Sequence, residues 1–249
     1  MKLAHTLLSA ALVLSAGMAL ARPAHAIMGG KPASAEIASQ TVLVVSTRGA
    51  SCSGAVLAQD LVLTAAHCVA PAGDYAVALV DEATPRLLPA VRIIVHPRFN
   101  GGQFRSRRPT PDLALMKLAG PLPPRFHSVR LSTAGIPPKG STLLLAGYGM
   151  VRDGAESSAG TLRMVSLPSI GTTGGFMVRL SRGSEGGAGA CTGDSGGPSF
   201  QNGALAGITS WSTAPHGRRG CGGVTGVTLV SLNRDWINQT AQTLGSPLE

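Results

Sequence analysis

Aromatic and charged side chains are scarce in this chain: of 249 residues, 4% are aromatic and 13% charged, against 33 glycines and 17 prolines. So few charges argue against a coiled coil or a disordered chain, and the glycine content suits short strands joined by tight turns. Cysteine is limited to Cys52, Cys68, Cys191 and Cys221. None of these lies in a C-x-x-C pair, which disfavours a zinc site. Past residue 26 no segment is apolar enough to be a membrane span. Acids are in deficit, 12 against 21 basic residues, for a net charge of +9. A chain of this length buries a substantial core without help from metals, as one large domain or two small ones.

What is present at the N-terminus fits an export signal. Lys2 supplies a positive start, Leu7 to Leu20 is almost wholly apolar, and small residues follow. The apolar run is short for a retained membrane anchor. Ala19-Leu20-Ala21 and Ala24-His25-Ala26 both satisfy the cleavage rule, so residues 1–26 read as a signal peptide, or 1–21 as signal and 22–26 as propeptide. Removing 1–26 takes away Lys2, Arg22 and no acid, which lowers the charge from +9 to +7. A secreted or periplasmic protein is expected. In such a compartment the four cysteines favour disulfides, with three pairings open to sequence.

Short apolar runs follow, separated by turn residues: Thr41 to Ser46, Ala55 to Leu57, Leu61 to Ala65, Tyr75 to Val80, Val91 to Val95 and Leu113 to Leu118. The second half repeats the habit at Leu143 to Ala146, Leu162 to Leu167, Phe176 to Leu180, Leu205 to Ser210 and Val224 to Val230. Strands at this spacing predict an all-β sandwich or barrel architecture. The proline-rich stretch from Pro121 to Pro138 separates two β domains, and Ser231 to Leu244 is the one segment that reads as a helix of any length.

Three segments carry chemistry when taken together: Leu63-Thr64-Ala65-Ala66-His67-Cys68, Asp112-Leu113-Ala114-Leu115-Met116-Lys117-Leu118 and Gly193-Asp194-Ser195-Gly196-Gly197-Pro198. A serine hydroxyl is a poor nucleophile until a base takes its proton. An imidazole does so well when a carboxylate fixes its tautomer and supports its positive charge. Singly, each residue is more often structural; an aspartate before an apolar strand is commonly only a turn residue. Jointly, TAAHC, DLALMKL and GDSGGP resemble the signature segments of the chymotrypsin-like (trypsin-fold, S1 family) serine peptidases. IMGG at 27–30, VHP at 95–97, AGYG at 146–149, SWS at 210–212 and DWI near the C-terminus extend the resemblance across almost all of 27–249.

The resemblance implies two six-stranded antiparallel β-barrels, 27–135 and 136–249, the second with a C-terminal α-helix. It implies His67 and Asp112 from the first barrel and Ser195 from the second as a catalytic triad, with the Gly193 and Ser195 amides as oxyanion hole. It also implies the pairings Cys52–Cys68 and Cys191–Cys221, and a substrate pocket built from Gly189, Ala190, Ser210, Trp211, Ser212 and Gly226. With Gly189 at the floor instead of an aspartate, the pocket is neutral and open at its base. Small to medium apolar side chains are then expected before the scissile bond, with aromatics next. Ser212 replaces a customary glycine and is expected to narrow the entrance.

No metal and no cofactor are expected. The segment between His67 and His96 is shorter than in calcium-binding members, and Asp81-Glu82 is its one acidic candidate. Arg105-Ser106-Arg107-Arg108 and His216-Gly217-Arg218-Arg219 read first as solvated surface. Their alternative role is to face the cleft and favour an anionic surface or acidic residues flanking the scissile bond. Protein or peptide substrates, no nucleic acid and a monomer are expected. The family's freed N-terminus corresponds to Ile27, whose amine would pair with Asp194. A catalytically silent basic binding protein on the same fold is the competing reading, and an esterase would share the same machinery.

Overall fold

Runs such as TVLVVS at Thr41–Ser46 favour extended backbone, because branching at Cβ restricts χ1 and packs well on a pleated surface. In the computed structural model, which describes residues 27–248 apart from 81, 83, 107, 184 and 185, such runs become thirteen strands. They are β1 (Lys31–Pro32), β2 (Thr41–Ser46), β3 (Ser51–Ala58), β4 (Leu61–Thr64), β5 (Tyr75–Leu79), β6 (Arg86–Val95), β7 (Ala114–Leu118), β8 (Thr142–Gly147), β9 (Arg163–Thr173), β10 (Met177–Leu180), β11 (Pro198–Gln201), β12 (Ala204–Ser212) and β13 (Thr225–Leu229). The order β2-β3-β4-β7-β6-β5 closes one antiparallel barrel. The order β8-β9-β10-β13-β12-β11 closes a second through pairing of β11 with β8. The all-β class with two six-stranded barrels and a C-terminal helix is therefore the observed one.

Three departures from the sequence reading have local causes. β11 reads PSFQ and carries no run of branched residues, so periodicity passes over it; its proline stands at the first position, where a strand tolerates one. β6 begins five residues earlier than its apolar run, passing through Pro89 opposite Ala76 before its register shifts near Ala90. The short helices α1 (Ala35–Ser39), α2 (Ala66–Val69) and α3 (Gly101–Arg105) are too brief to show periodicity.

One apolar cluster fills the first barrel, with Val56, Leu61, Val62, Leu63 and Leu115 fully buried, and continues into Phe200, Leu205 and Ile208 of the second-barrel strands. A second cluster, of Leu143, Leu145, Val165, Leu167, Val178, Leu180, Val227 and Leu229, takes in Ile27. Helix α4 (Arg234–Thr243), entered through a 3-10 turn at Ser231–Asn233, buries Ile237 and Ala241 in the first cluster, as does Leu244 just past its end. That spacing puts one helical side against β7. Past the helix, Ser246 Oγ donates to Asp60 Oδ1 at 2.6 Å and accepts from Lys117 Nζ at 2.5 Å, which fixes the tail to the first barrel.

The chain's beginning lies on the other body. The Met28 carbonyl accepts from Gly189 N–H at 3.0 Å, and β1 pairs with β9. Disulfides join Cys52 to Cys68 and Cys191 to Cys221. Each closes around a segment used by the site.

Candidate active site

His67 stands on α2, one turn past the end of β4, where the small, fully buried Ala65 and Ala66 let the chain turn inward. Asp112 immediately precedes Leu113 and β7 and is fully buried. Burying a carboxylate is costly unless donors replace water. Here His67 N–H donates to Oδ1 at 2.8 Å, while His67 Nδ1 at 2.7 Å and Ser210 Oγ at 2.5 Å both meet Oδ2. An ionised carboxylate only accepts, so Nδ1 carries the hydrogen and the lone pair of the neutral ring lies on Nε2. Phe104 of α3 stacks on the imidazole with centroids 4.2 Å apart and planes 14° apart, leaving 19% of the His67 side chain exposed.

Ser195 sits on the loop before β11, and the loop's glycines explain its spelling. Gly193 has φ +97°, and a Cβ there would lie 2.8 Å from the Gly149 Cα. At Gly196, φ +84°, a Cβ would collide with Thr64 Oγ1 and the Ser53 carbonyl. The loop is thus pressed against the first barrel. Ser53 of β3 holds it there: its hydroxyl donates to the Gly193 carbonyl at 2.9 Å, and its amide donates to the Ser195 carbonyl at 2.7 Å. Among the described residues neither the Gly193 nor the Ser195 N–H takes a hydrogen-bond partner. Both remain available to an incoming oxygen.

The three residues converge through Ser210. Its carbonyl accepts from Ser195 Oγ at 3.4 Å, a long contact, while its hydroxyl holds Asp112. Ser195 Oγ is directed to that carbonyl and makes no hydrogen bond to His67 Nε2. Ser210, anticipated as a pocket wall, thus also supports the aspartate.

At the anticipated pocket, Gly189, Ala190 and Gly226 are buried and carry no charge. The base is narrower than the glycine at 189 suggests. A Cβ at Gly189 would lie 3.2 Å from both the Gly222 Cα and Thr225 Oγ1, and Thr225 Oγ1 accepts from Ala190 N–H at 3.0 Å. The Trp211 indole covers the face of Gly226, where any Cβ would meet it. Ser212 donates to the Gly220 carbonyl at 3.1 Å and so ties β12 to the opposite rim. Thr225 could not be found from sequence, since it belongs to no motif; Ser53 and Phe104 escaped for the same reason, whereas Thr64 lies within TAAHC and its contact with the Ser195 loop was not anticipated.

Asp194 lies beneath the loop, almost fully buried. Its carboxylate accepts from Gly149 N–H and Cys191 N–H, each at 2.8 Å. Burial pushes its pKa up to about 7, against the lowering effect of those two amides. Ile27 is 1% exposed, and Gly29 packs on the neighbouring Ala188. Residues 1–26, the anticipated signal and propeptide, lie outside the described residues. His96 is held neutral, with burial and then Arg98 lowering its pKa to about 4, and it packs on Trp236.

For the anticipated absence of a metal, two clusters matter. Glu82 binds Arg86 at 3.3 Å and Arg125 at 3.4 Å, while Asp81 lies outside the described residues. The Cys52, His67 and Cys68 donors lie close together, but their two sulfurs are spent in the disulfide. A disulfide sulfur is no thiolate, so that cluster offers only the His67 nitrogen as an ordinary ligand.

The trypsin family model matches residues 27–237. Trypsin-3 of Salmo salar is 30% identical, covering 76% of this chain and 82% of its own length. Brachyurin of Leptuca pugilator is 31% identical over 75% of this chain and 85% of its own length, and human Kallikrein-8 is 31% identical over 76% of each. The match spans both barrels and each of the signature segments. The chain belongs to the trypsin family and is a chymotrypsin-like serine-type endopeptidase, with protein or peptide substrates.

Proposed function

We propose that His67, Asp112 and Ser195 are the catalytic triad of an exported endopeptidase that cleaves after small to medium apolar residues. The observation that carries this reading is the buried Asp112 carboxylate on His67 Nδ1, which leaves the Nε2 lone pair to accept a proton. Nε2 takes the Ser195 Oγ proton as Oγ bonds to the scissile carbonyl carbon. The oxygen becomes an oxyanion between the Gly193 and Ser195 amides. Collapse breaks the C–N bond, Nε2 returns its proton to the leaving amine, and water repeats the sequence on the acyl-enzyme. Rotation of Ser195 Oγ away from the Ser210 carbonyl is the required first motion.

The closed base at Gly189 and the indole over Gly226 favour short side chains before the scissile bond and disfavour aromatic ones. A lysine or arginine there would bury a charge with no partner. We assign residues 1–26 to a signal peptide, 27–135 and 136–249 to the two barrel domains, and the Ile27 amine, once freed, to Asp194. Secretion or export to a periplasm follows from that assignment, and a monomer is our reading of the oligomeric state. The arginine runs favour an anionic surface or acidic flanking residues.

Fluorophosphonate labelling of the processed protein tests the reading. Labelling that disappears in Ser195→Ala is expected, and an unlabelled wild type would sink it in favour of the silent binder.

A further inference from the structure

Beside His67 lies a cavity of about 380 Å³ lined by Phe104, Arg105, Trp211 and Arg219. Its two aromatic faces are those already met: Phe104 stacks on the imidazole, and Trp211 covers Gly226 at the primary pocket. The cavity therefore adjoins both the base and the pocket wall. Arg105 comes from α3 in the loop between β6 and β7, and Arg219 from the loop before Cys221. No carboxylate lines the cavity, and among the described residues neither guanidinium has an ion-pair partner. Two segments remote in sequence thus bring two exposed arginines to one concave site, where they add to a positive local potential.

The backbone beside it is suited to hold a peptide. At its end β12 pairs with β13 through Trp211 opposite Gly226 and Ser212 opposite Thr225. Its pairing with β11 begins only at Ile208. Among the described residues the other edge of residues 210–212 has no strand partner, and it leads from the Ser195 contact at the Ser210 carbonyl past Trp211, so an extended substrate can add there as a strand. Its side chains alternate in direction. A side chain one to three positions before the residue in the primary pocket is the one within reach of the cavity in such a pose.

Resting on the peptidase reading above, we infer that Phe104, Arg105, Trp211 and Arg219 form a specificity site for a glutamate or aspartate upstream of the scissile bond. The aromatic faces pack on the methylene stem while the arginines meet the carboxylate.

The test uses peptides with alanine before the scissile bond and glutamate, glutamine or lysine at each of the three preceding positions. Turnover is measured with mature wild type, and binding of the same peptides with Ser195→Ala, at low and high salt. At one position glutamate should exceed glutamine by roughly fivefold and lysine by more, as expected of two partly exposed pairs, with the preference shrinking in high salt. Arg105→Gln with Arg219→Gln should bring the glutamate-to-glutamine ratio to about one, in binding as in turnover. A wild-type ratio near one at every position overturns the inference, as does a ratio that survives the double substitution. If no peptide is hydrolysed the peptidase reading fails, while the binding ratios still decide this one. Displacement by heparin with equal glutamate and glutamine binding would assign the arginines to an anionic polymer and overturn the peptide site.

Discussion

The first barrel holds His67 and Asp112 at the ends of regular elements, next to β4 and β7, whose residues Leu61, Val62, Leu63 and Leu115 are fully buried. The second barrel holds Gly193, Ser195 and the Gly189–Ala190 segment on loops, while Ser210, Trp211, Ser212 and Gly226 of the anticipated pocket lie on β12 and β13. Between β2 and β7 only Gly49 and Gly73 take positive φ among the described residues, whereas between β8 and β13 such glycines recur from Gly154 to Gly222. One half positions a side-chain pair by packing. The other aims backbone groups by local conformation, and backbone aimed in this way tolerates no Cβ at its tightest points.

The difference predicts separate responses to mutation. Removing Ser195 or His67 should lower kcat by roughly 10⁵-fold or more, and Asp112→Asn by about 10⁴-fold through loss of the tautomer, with thermal stability little altered for Ser195→Ala. Gly193→Ala should cost about 10² to 10³ in kcat, because its Cβ meets the Gly149 Cα and turns the amide away. Calorimetry should show the protein still folded. In contrast, Leu63→Ala in the first barrel should cost about 2 to 5 kcal/mol of stability while the fraction that remains folded keeps its kcat. Equal loss of kcat in the Leu63 and Gly193 variants would break the distinction.

Asp194 sharpens the same comparison through pH. Its folded pKa is raised to about 7 from an unfolded value near 3.8, so the folded state binds the extra proton. The stabilising contribution is complete below the unfolded value and is lost as pH rises through about 7. A chain with residues before Ile27 should therefore melt at lower temperature at pH 8 than at pH 5, and Asp194→Asn should flatten that slope. The processed chain, with the Ile27 amine paired to Asp194, should lack the trend. If both forms show one slope, the proposed pairing is wrong. The smallest effect is expected from Phe104→Ala: loss of the stacked ring is worth about 1 kcal/mol, read as a several-fold fall in kcat.

Much of the fold was legible because alternation and turn residues are local signals. The run Thr41 to Ser46 became a strand with those bounds, and the C-terminal helix was visible from its apolar spacing. β11 was not legible, since a four-residue strand that opens on proline is made by its partners β8 and β12. In the candidate site, His67, Asp112 and Ser195 stood out through motifs, whereas Ser53 and Thr225 act through contacts with residues far along the chain. The base of the pocket shows the limit. Glycine at 189 reads as open space, yet a Cβ there would meet Thr225 Oγ1 and the Gly222 Cα at 3.2 Å.

The residue string was enough for the class of fold and the family, and it nominated His67, Asp112 and Ser195 as the proposed reacting groups, because these depend on side-chain chemistry and on short-range pattern. Folding in three dimensions settled which hydroxyl supports Asp112, how the Ser195 loop is pressed onto the first barrel, what crowds Gly189, and that Arg105 and Arg219 share one cavity. Those are distances between residues far apart in the chain, and such distances exist only once the two barrels have closed and packed together.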